Sequence, residues 1–446
     1  MNRFAWTLAL LALARVAAAE QVLDIGDLAQ ASVAGFYEEE HSIRDNRSQG
    51  LQHCTFTPDP RGVLGTSVSG GPYCTPGLTS TTAGEPLHLG AISGKLSHEF
   101  DSAWKIDGLV TWRVRDGAAD IYGHDLIDRS LDISHPVYGQ LRAGTMTGRV
   151  WSRSDDITYP LGITSAWSES GAGYGVLPQA LRYTSRQFEL SNGSKLVLEL
   201  TGDSERIAFA HNAQLETYNE HPPRARLVEL FVQYANETDL IEFTFQDSEG
   251  GLQTAFSKGA FTGDVGNADN NPLYKKPREN VAILQGEHYF TPAWKASWGV
   301  KRNYWSGEVF QCDYVPGTGC YFPSGFDNGT DGIGHSATEY NFMGGVTYYQ
   351  GLYAYTLGAV HLGKSYVRSP SEYGQSNTAN FWSLGLNRQV PELARNVRVY
   401  AQLNYLRYGY YGPAPLAMPG ELAVFGVDPR DHSTAVGMTV GANIAF

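Results

Sequence analysis

The stretch HSTAVGMTVGANIAF, residues 432–446, has one apolar face and one small or polar face. Counted back from its end, every second residue is apolar: Phe446, Ile444, Ala442, Val440, Met438 and Val436. The residues between them are small or polar: Ala445, Asn443, Gly441, Thr439 and Gly437. Because successive side chains of a β-strand point to opposite faces, this two-residue period predicts a strand whose two faces meet different surroundings.

The same alternation recurs along the chain in segments of about ten residues, the length of a tilted strand that crosses a membrane. The clearest segments are 108–116, 195–203, 240–246 and 396–405. In the first of them, Val110, Trp112 and Val114 share one face. The composition agrees, because 50 glycines and 26 tyrosines among 446 residues favour strands and turns over helices.

Short and long connections alternate between these segments. The short ones are 100–104, 135–138, 190–195, 235–239, 290–294, 348–352 and 389–396. The long ones are roughly 42–87, 117–125, 146–178, 203–224, 249–279, 306–336, 367–376 and 411–430. Outer-membrane barrels show this asymmetry, with short periplasmic turns and long external loops.

The alternation of connections also constrains the number of strands. Seventeen candidate strands, one of them 205–218, would put the long connection 249–279 on the periplasmic side. Assigning 205–218 to an external loop leaves about sixteen strands, whereas splitting another segment gives eighteen. In the sixteen-stranded arrangement the last strand, 431–446, closes against the first, roughly 30–41.

A sheet in hydrocarbon has to close on itself, because every unpaired backbone amide or carbonyl there is costly. A barrel of sixteen strands is too wide for side chains to fill, so it holds water and its inner face can be polar. A mean hydropathy of −0.29 is therefore compatible with a membrane protein. We predict an all-β fold, a transmembrane antiparallel β-barrel. A secreted β-sandwich, which also alternates, is the alternative.

The first residues, MNRFAWTLALLALARVAAAE, predict a signal peptide. An arginine near the start precedes an apolar core, and small alanines follow in the pattern of a cleavage site, which we place after Ala19. The core is too short for a membrane-spanning helix, which needs ~20 residues. We therefore expect a signal peptide, 1–19, and one outer-membrane β-barrel domain, 20–446.

The net charge argues against a nucleic-acid partner. The formal charge of the whole chain is −13, and removing the signal with its two arginines makes it −15. An acidic surface repels the phosphate backbone.

The four cysteines predict disulfides, because an exported chain with an even number of cysteines usually pairs them. Three pairings are open. We favour Cys54–Cys74 and Cys312–Cys320, because each pair lies within one stretch rich in glycine and proline. A zinc site is the alternative, but neither stretch has CxxC spacing.

Three stretches are typical of one family of barrels. They are the terminal strand STAVGMTVGANIAF, the stretch YGQLRAGT at 138–145 and the stretch ALRYTSRQFEL at 180–190. The last two look like the strands before and after the third loop of the general bacterial porins of Gram-negative outer membranes. The chain thus resembles these trimeric, sixteen-stranded channels. The resemblance implies a homotrimer in outer-membrane lipid, passive diffusion of small hydrophilic solutes and ions, and Phe446 as the signal read by the outer-membrane insertion machinery.

The resemblance also implies that the third loop, 146–178, folds into the channel and forms its narrowest point. The acids of this loop are Asp155, Asp156 and Glu169. Its rings, which can stack on a solute, are Trp151, Tyr159, Trp167 and Tyr174. The polar faces of neighbouring strands carry Arg113, Arg115, Arg142, Arg182 and Arg186. We therefore expect a constriction with a basic wall and an acidic loop, whose facing charges create a transverse field.

Two features leave the finer function open. The second loop, near 117–125, is short for the family, which weakens the expectation about subunit contacts. The chain length and the arginines also suit substrate-specific porins for small carboxylates or sugars, which usually have eighteen strands. The triplet at 202–204, Gly-Asp-Ser, resembles part of an esterase motif but follows a strand into a loop, without the strand–elbow–helix context of a nucleophile. We predict no catalytic residue, metal or cofactor.

Overall fold

The computed structural model describes most of the barrel wall and much of the third loop. The described residues are 21–24, 29–45, 52–54, 74–76, 81–83, 87–116, 126–168, 170, 176–203, 226–249, 278–307, 313–315, 319–321, 335–364, 366–367, 378–393, 396–408 and 434–445. The signal peptide and Phe446 lie outside these residues, so the expectations about them stay predictions.

Sixteen long strands, numbered β1 to β16, follow one another around the described wall. They are Gln30–Asp45, Leu87–Glu99, Lys105–Asp116, Leu126–His135, Gly139–Thr147, Val176–Thr184, Lys195–Asp203, Arg226–Ala235, Asp239–Glu249, Arg278–Thr291, Trp294–Gly307, His335–Gln350, Tyr353–Leu362, Ala379–Gln389, Val397–Tyr408 and Thr434–Ala445. Each pairs antiparallel with the next. Short strands extend this wall at Gln21–Asp24, Thr81–Ala83, Phe188–Glu189 and Tyr366–Val367.

The first and last strands close the barrel. Residues 36–45 of β1 pair antiparallel with residues 445–436 of β16, while residues 30–40 of β1 pair with β2. Closure leaves no unpaired sheet edge to face hydrocarbon. The prediction of sixteen strands is confirmed, as is the closure of the last strand on the first, and the count of eighteen is wrong.

The strand ends confirm all seven predicted short turns. The turns are 100–104, 136–138, 190–194, 236–238, 292–293, 351–352 and 390–396. Strands β7 and β8 are hydrogen-bonded neighbours. The wall therefore has no strand between β7 and β8, as the alternation of short and long connections predicts.

The wall has an apolar outer face and a polar inner face. On the outer face, Leu200, Leu384 and Leu403 are 55%, 57% and 50% exposed, and in a membrane such side chains contact lipid. On the inner face, Glu242 and Asn341 are fully buried. The exposed and buried positions follow the two-residue period of the sequence. No helix within the described ranges is long and apolar enough to cross a membrane.

Aromatic rings gather at the end of the barrel that carries the short turns. Trp104 and Tyr138 stack with their ring centroids 5.9 Å apart, and Trp294 and Tyr348 meet at 4.7 Å. Rings with polar tips favour the level of the lipid headgroups, where barrels carry aromatic girdles.

Candidate functional site: the third loop inside the barrel

The third loop, which connects β5 to β6, folds back into the barrel. It contains the helix α1, Arg149–Thr158, and the short helix α2, Thr164–Ser168. Helix α1 ends at Thr158 because the next residue, Tyr159, precedes a proline and takes extended backbone angles (φ −72°, ψ 131°). Both helices contact the inner face of the wall, so the prediction that this loop folds into the channel is confirmed.

Two arginines fix α1 to the wall. Arg149 Nη2 lies 2.7 Å from Glu199 Oε1 on β7, and Arg153 Nε lies 2.8 Å from Glu242 Oε1 on β9. The arginines are four residues apart, so they project from one face of the helix. Glu199 and Glu242 are only 5% and 0% exposed. We call these four residues the arginine clamp.

A third carboxylate extends the arginine clamp. Glu229 on β8 accepts a hydrogen bond of 2.9 Å from the backbone N–H of Arg149. It also accepts bonds from Arg182 Nη2 at 3.1 Å and from Gln246 Nε2 at 2.8 Å. A negative charge at the first turn of a helix is favourable, because the backbone N–H groups there have no partner within the helix.

The contact that attaches α1 to the wall is separate from the predicted constriction, in which wall arginines face loop acids across the open lumen and which stays a prediction. The loop supplies the cations and the wall supplies the carboxylates, because the turn of α1 that meets the wall carries the arginines. Asp156 stays exposed and bonds Arg153 Nη1 at 2.6 Å. Burial by itself lowers the pKa of Arg153, but Glu242 and Asp156 raise this pKa above its ordinary value, so the guanidinium stays charged near neutral pH.

The second half of the loop packs on an apolar patch of the inner face. The loop residues buried there are Ile157, Leu161, Ile163, Ala166 and Trp167. The wall residues include Val281, Ile283, Met343, Val360, Leu362, Ala379 and Phe381. Two wall glycines allow the close approach: a Cβ on Gly345 would lie 2.6 Å from Leu161 Cδ1, and one on Gly358 would lie 2.9 Å from Ile163 Cγ2. We call this apolar cluster the loop core.

A fully buried lysine holds the end of α2. Lys301 Nζ, from β11, donates to the carbonyl oxygen of Trp167 and to the carbonyl and hydroxyl oxygens of Ser170 at 2.9 and 3.1 Å. It also lies 4.6 Å from the centroid of the Trp167 ring. Trp167 Nε1 in turn donates to Gln285 Oε1 at 2.9 Å. These contacts give the carbonyl groups at the end of the helix a hydrogen-bond donor.

Sequence reasoning missed the residues that hold the loop. They are Arg149, Arg153, Glu199, Glu229, Glu242 and Lys301. The available signal was their place on the polar face of an alternating strand or, for the two arginines, their spacing of four residues.

Two of the predicted wall arginines lie opposite each other. Arg142 on β5 pairs in register with Arg182 on β6. The Arg142 side chain is 25% exposed, and its Nε and Nη2 each lie 2.7 Å from the Asp132 carboxylate. Arg182 is only 2% exposed and bonds Thr201 and Glu229. Arg142 can therefore meet a solute, whereas Arg182 supports the arginine clamp.

Arg186, another predicted arginine, does not join this pair. It is exposed in the break between β6, which ends at Thr184, and the short strand Phe188–Glu189, and its guanidinium lies 5.3 Å from the Phe188 ring. Its predicted place on the polar face of a continuous strand is therefore wrong. The backbones of Arg113 and Arg115 lie in β3, and their side chains are outside the described part of the chain.

The predicted loop residues fall into three groups. Asp155, Asp156 and Trp151 lie on α1 and are partly or fully exposed. Tyr159 is 51% exposed, whereas Trp167 is fully buried. Trp167 therefore cannot stack on a solute, because it packs in the loop core instead. Glu169 and Tyr174 lie outside the described residues.

The backbone register supports one of the predicted disulfides. Cys54 and Cys74 lie directly opposite each other in a small antiparallel ribbon. Directly opposed residues have Cα atoms about 4.5–5.5 Å apart, a separation that a disulfide can bridge. Cys320 lies in a second ribbon, and Cys312 is outside the described residues. Both disulfides stay predictions.

Comparison with known proteins supports the fold. No protein-family model and no curated protein matches the sequence. Among solved structures, OmpF of Salmonella typhi in complex with daunomycin matches with a TM-score of 0.54 and 9% identity, over 96% of this chain and 100% of that chain. The anion-selective porin from Comamonas acidovorans matches with a TM-score of 0.52 and 11% identity, over 93% of this chain and 100% of that chain. The outer-membrane channel DcaP of Acinetobacter baumannii matches with a TM-score of 0.50 and 9% identity, over 95% of this chain and 99% of that chain. The chain therefore shares its overall fold with these proteins.

Proposed function

We propose that the protein is a porin of the bacterial outer membrane through which small hydrophilic solutes and ions diffuse passively. The observation that carries this proposal is a closed sixteen-stranded barrel, apolar outside and polar inside, with a loop packed in its interior. A barrel of this size is too wide for wall side chains to fill. The third loop therefore sets how much of the cross-section stays open.

The open part of the cross-section lies beside β1 to β5. The loop contacts the wall from β7 to β15, and Glu242, Lys301 and Ser383 on this part of the wall are fully buried. On the uncovered side, the side chains of Lys95 and Arg142 remain 36% and 25% exposed. Charged groups that retain contact with water in a narrow passage bias the passage of ions.

The proposal includes the features that the resemblance to general porins implies. The chain is exported with cleavage after Ala19, inserted through the outer-membrane insertion machinery with Phe446 as its signal, and assembled as a homotrimer. The cysteines pair as Cys54–Cys74 and Cys312–Cys320. The proposed activity is transport without catalysis.

We expect the purified protein, added to a planar bilayer in concentrated KCl, to produce stepwise ohmic conductance. The same detergent without protein is the control. Small sugars should enter preloaded vesicles at rates that fall with solute size and do not saturate. Folded protein that inserts but carries no current would contradict the proposal. Saturable block by one sugar or carboxylate would favour the substrate-specific alternative.

Replacing Arg142 with glutamine should shift the reversal potential in a KCl gradient towards cation selectivity. The substitution removes a partly exposed cation and leaves Asp132 on the same wall, so the local potential becomes more negative. Arg186→Gln, which removes an exposed arginine from the break after β6, is the matched control and should leave the reversal potential unchanged. Equal reversal potentials for Arg142→Gln and the wild type would exclude Arg142 from the ion path.

A further inference from the structure

A patch of polar side chains lies on the inner face where β15, β16 and β1 meet. Register pairing places Arg398, Asn443 and Glu38 in one row across the three strands. The next row, two residues along each strand, is Tyr400, Gly441 and Glu40. This patch lies outside the arginine clamp and the loop core, near the start of β15 and thus near the end of the barrel with the short turns.

Tyr400 bridges the two carboxylates across the middle strand. Its hydroxyl lies 2.6 Å from Glu38 Oε1 and 2.9 Å from Glu40 Oε2. The ring can cross β16 because residue 441 is glycine: a Cβ there would lie 2.4 Å from Tyr400 Cζ. Asn443 Nδ2 lies 3.4 Å from Glu38 Oε2. The two glutamates are therefore held side by side on β1.

Arg398 lies at the other side of Tyr400 and contacts two aromatic rings. Its guanidinium carbon is 4.5 Å from the centroid of Tyr159, on the third loop, and 5.3 Å from that of Tyr400. A guanidinium near a ring face is attracted by the ring and keeps its N–H groups as hydrogen-bond donors. Tyr159 is half-exposed, so the pair borders open lumen.

Arg398 differs from the other described arginines of the inner face. Arg142, Arg149, Arg153 and Arg182 each have a carboxylate within 4.0 Å. Within the described part of the chain, the nitrogens of Arg398 have no carboxylate within 4.0 Å and make no hydrogen bond. A planar guanidinium with free donors matches a carboxylate in two-point geometry.

We infer that this patch is a binding site for short zwitterionic solutes, such as a dipeptide. The solute carboxylate accepts hydrogen bonds from Arg398, and its ammonium group lies against Glu38 and Glu40. Neighbouring strands are about 4.8 Å apart, so the backbones of Arg398 and Glu38, two strands apart in one row, are separated by about 10 Å. A dipeptide spans about 7 Å. This inference rests on the proposed channel function, because the solute reaches the binding site through the lumen.

The two glutamates favour a zwitterion over a simple anion or cation. A lone anion at Arg398 would be repelled by two carboxylates nearby, and a lone cation at the glutamates would be repelled by Arg398. A zwitterion places its carboxylate at Arg398 and its ammonium at the glutamates, so each of its two charges is attracted. The opposite charges of this patch thus attract zwitterions and also disfavour solutes that carry a single charge.

The test is block of the current through the full-length channel in planar bilayers. Three probes have matched size: glycylglycine, N-propionylglycine, in which a methyl group replaces the ammonium, and glycylglycinamide, in which an amide replaces the carboxylate. We expect glycylglycine to reduce the current saturably, with each single-charge probe about tenfold weaker or more, the factor that loss of a charged hydrogen bond produces. Equal half-blocking concentrations for all three probes would overturn the inference.

Two variants test the assigned ends of the solute independently. Arg398→Gln and Glu38→Gln should each raise the half-blocking concentration of glycylglycine about tenfold. Their controls are Arg186→Gln, in the exposed break after β6, and Glu39→Gln, on the opposite face of β1, and both should match the wild type. Unchanged block in Arg398→Gln or in Glu38→Gln overturns the assignment. A wild-type channel that conducts but is not blocked by glycylglycine refutes only the inferred binding site. A folded protein that does not conduct refutes the porin proposal.

Discussion

Channels in which Arg153 is replaced by methionine are expected to carry a larger and noisier current than the wild type. The substitution leaves Glu242, which is fully buried, without its cation. Breaking one side of a buried ion pair is destabilising by about 3–5 kcal/mol, because the remaining charge is uncompensated. This destabilisation acts on the docked state of α1, so the helix should leave the wall more often. Single-channel recordings in planar bilayers measure both effects.

The matched control is the double variant Arg153→Met with Glu242→Gln. It removes both charges, so no buried carboxylate is left unpaired, and Gln233 and Gln285 can still bond the neutral amide. We expect its current to lie closer to the wild type than that of the single variant. A single variant with wild-type conductance and noise would show that the arginine clamp does not hold the loop.

The barrel could be predicted from the sequence because each strand meets two different media. Lipid contacts one face and the lumen the other, so apolar and polar residues alternate, as in Leu196, Leu198 and Leu200 against Glu199 and Thr201. The length of each connection then indicated the side of the membrane on which that connection lies. Neither inference needs knowledge of which residues touch across the lumen.

The polarity of the loop contact could not be predicted, because it depends on contacts between residues far apart in the chain. Arg149, Arg153, Asp155 and Asp156 all lie within eight residues of one another, and only the docking of α1 determines which of them meets the wall. The partners Glu199 and Glu242 lie 50 and 89 residues from their arginines.

The loop core could not be predicted, because side chains that face the lumen of a wide barrel are expected to be polar. Val281, Ile283 and Phe381 point inward, against the expected alternation of polar inner residues, because the loop shields them from water. Glycines at 299, 345 and 358 gave no alternating signal, although a Cβ at each of them would lie within 3 Å of a loop side chain.

Replacing Trp167 with alanine should release the second half of the third loop. The residue is fully buried, and truncating a buried tryptophan to alanine costs about 3–5 kcal/mol. The substitution also removes the hydrogen bond to Gln285 and the ring contact with Lys301. We therefore expect a higher single-channel conductance, and a lower urea concentration at the midpoint of unfolding in lipid vesicles.

Trp167→Phe separates the two contributions of the side chain. Phenylalanine keeps an aromatic ring beside Lys301 and most of the apolar contact with the loop core, but it cannot donate to Gln285. Because apolar packing accounts for most of the expected loss, Trp167→Phe should lie nearer the wild type than Trp167→Ala in conductance and in unfolding midpoint. If Trp167→Ala instead conducts like the wild type, the loop core does not limit the channel, and the arginine clamp alone positions the loop.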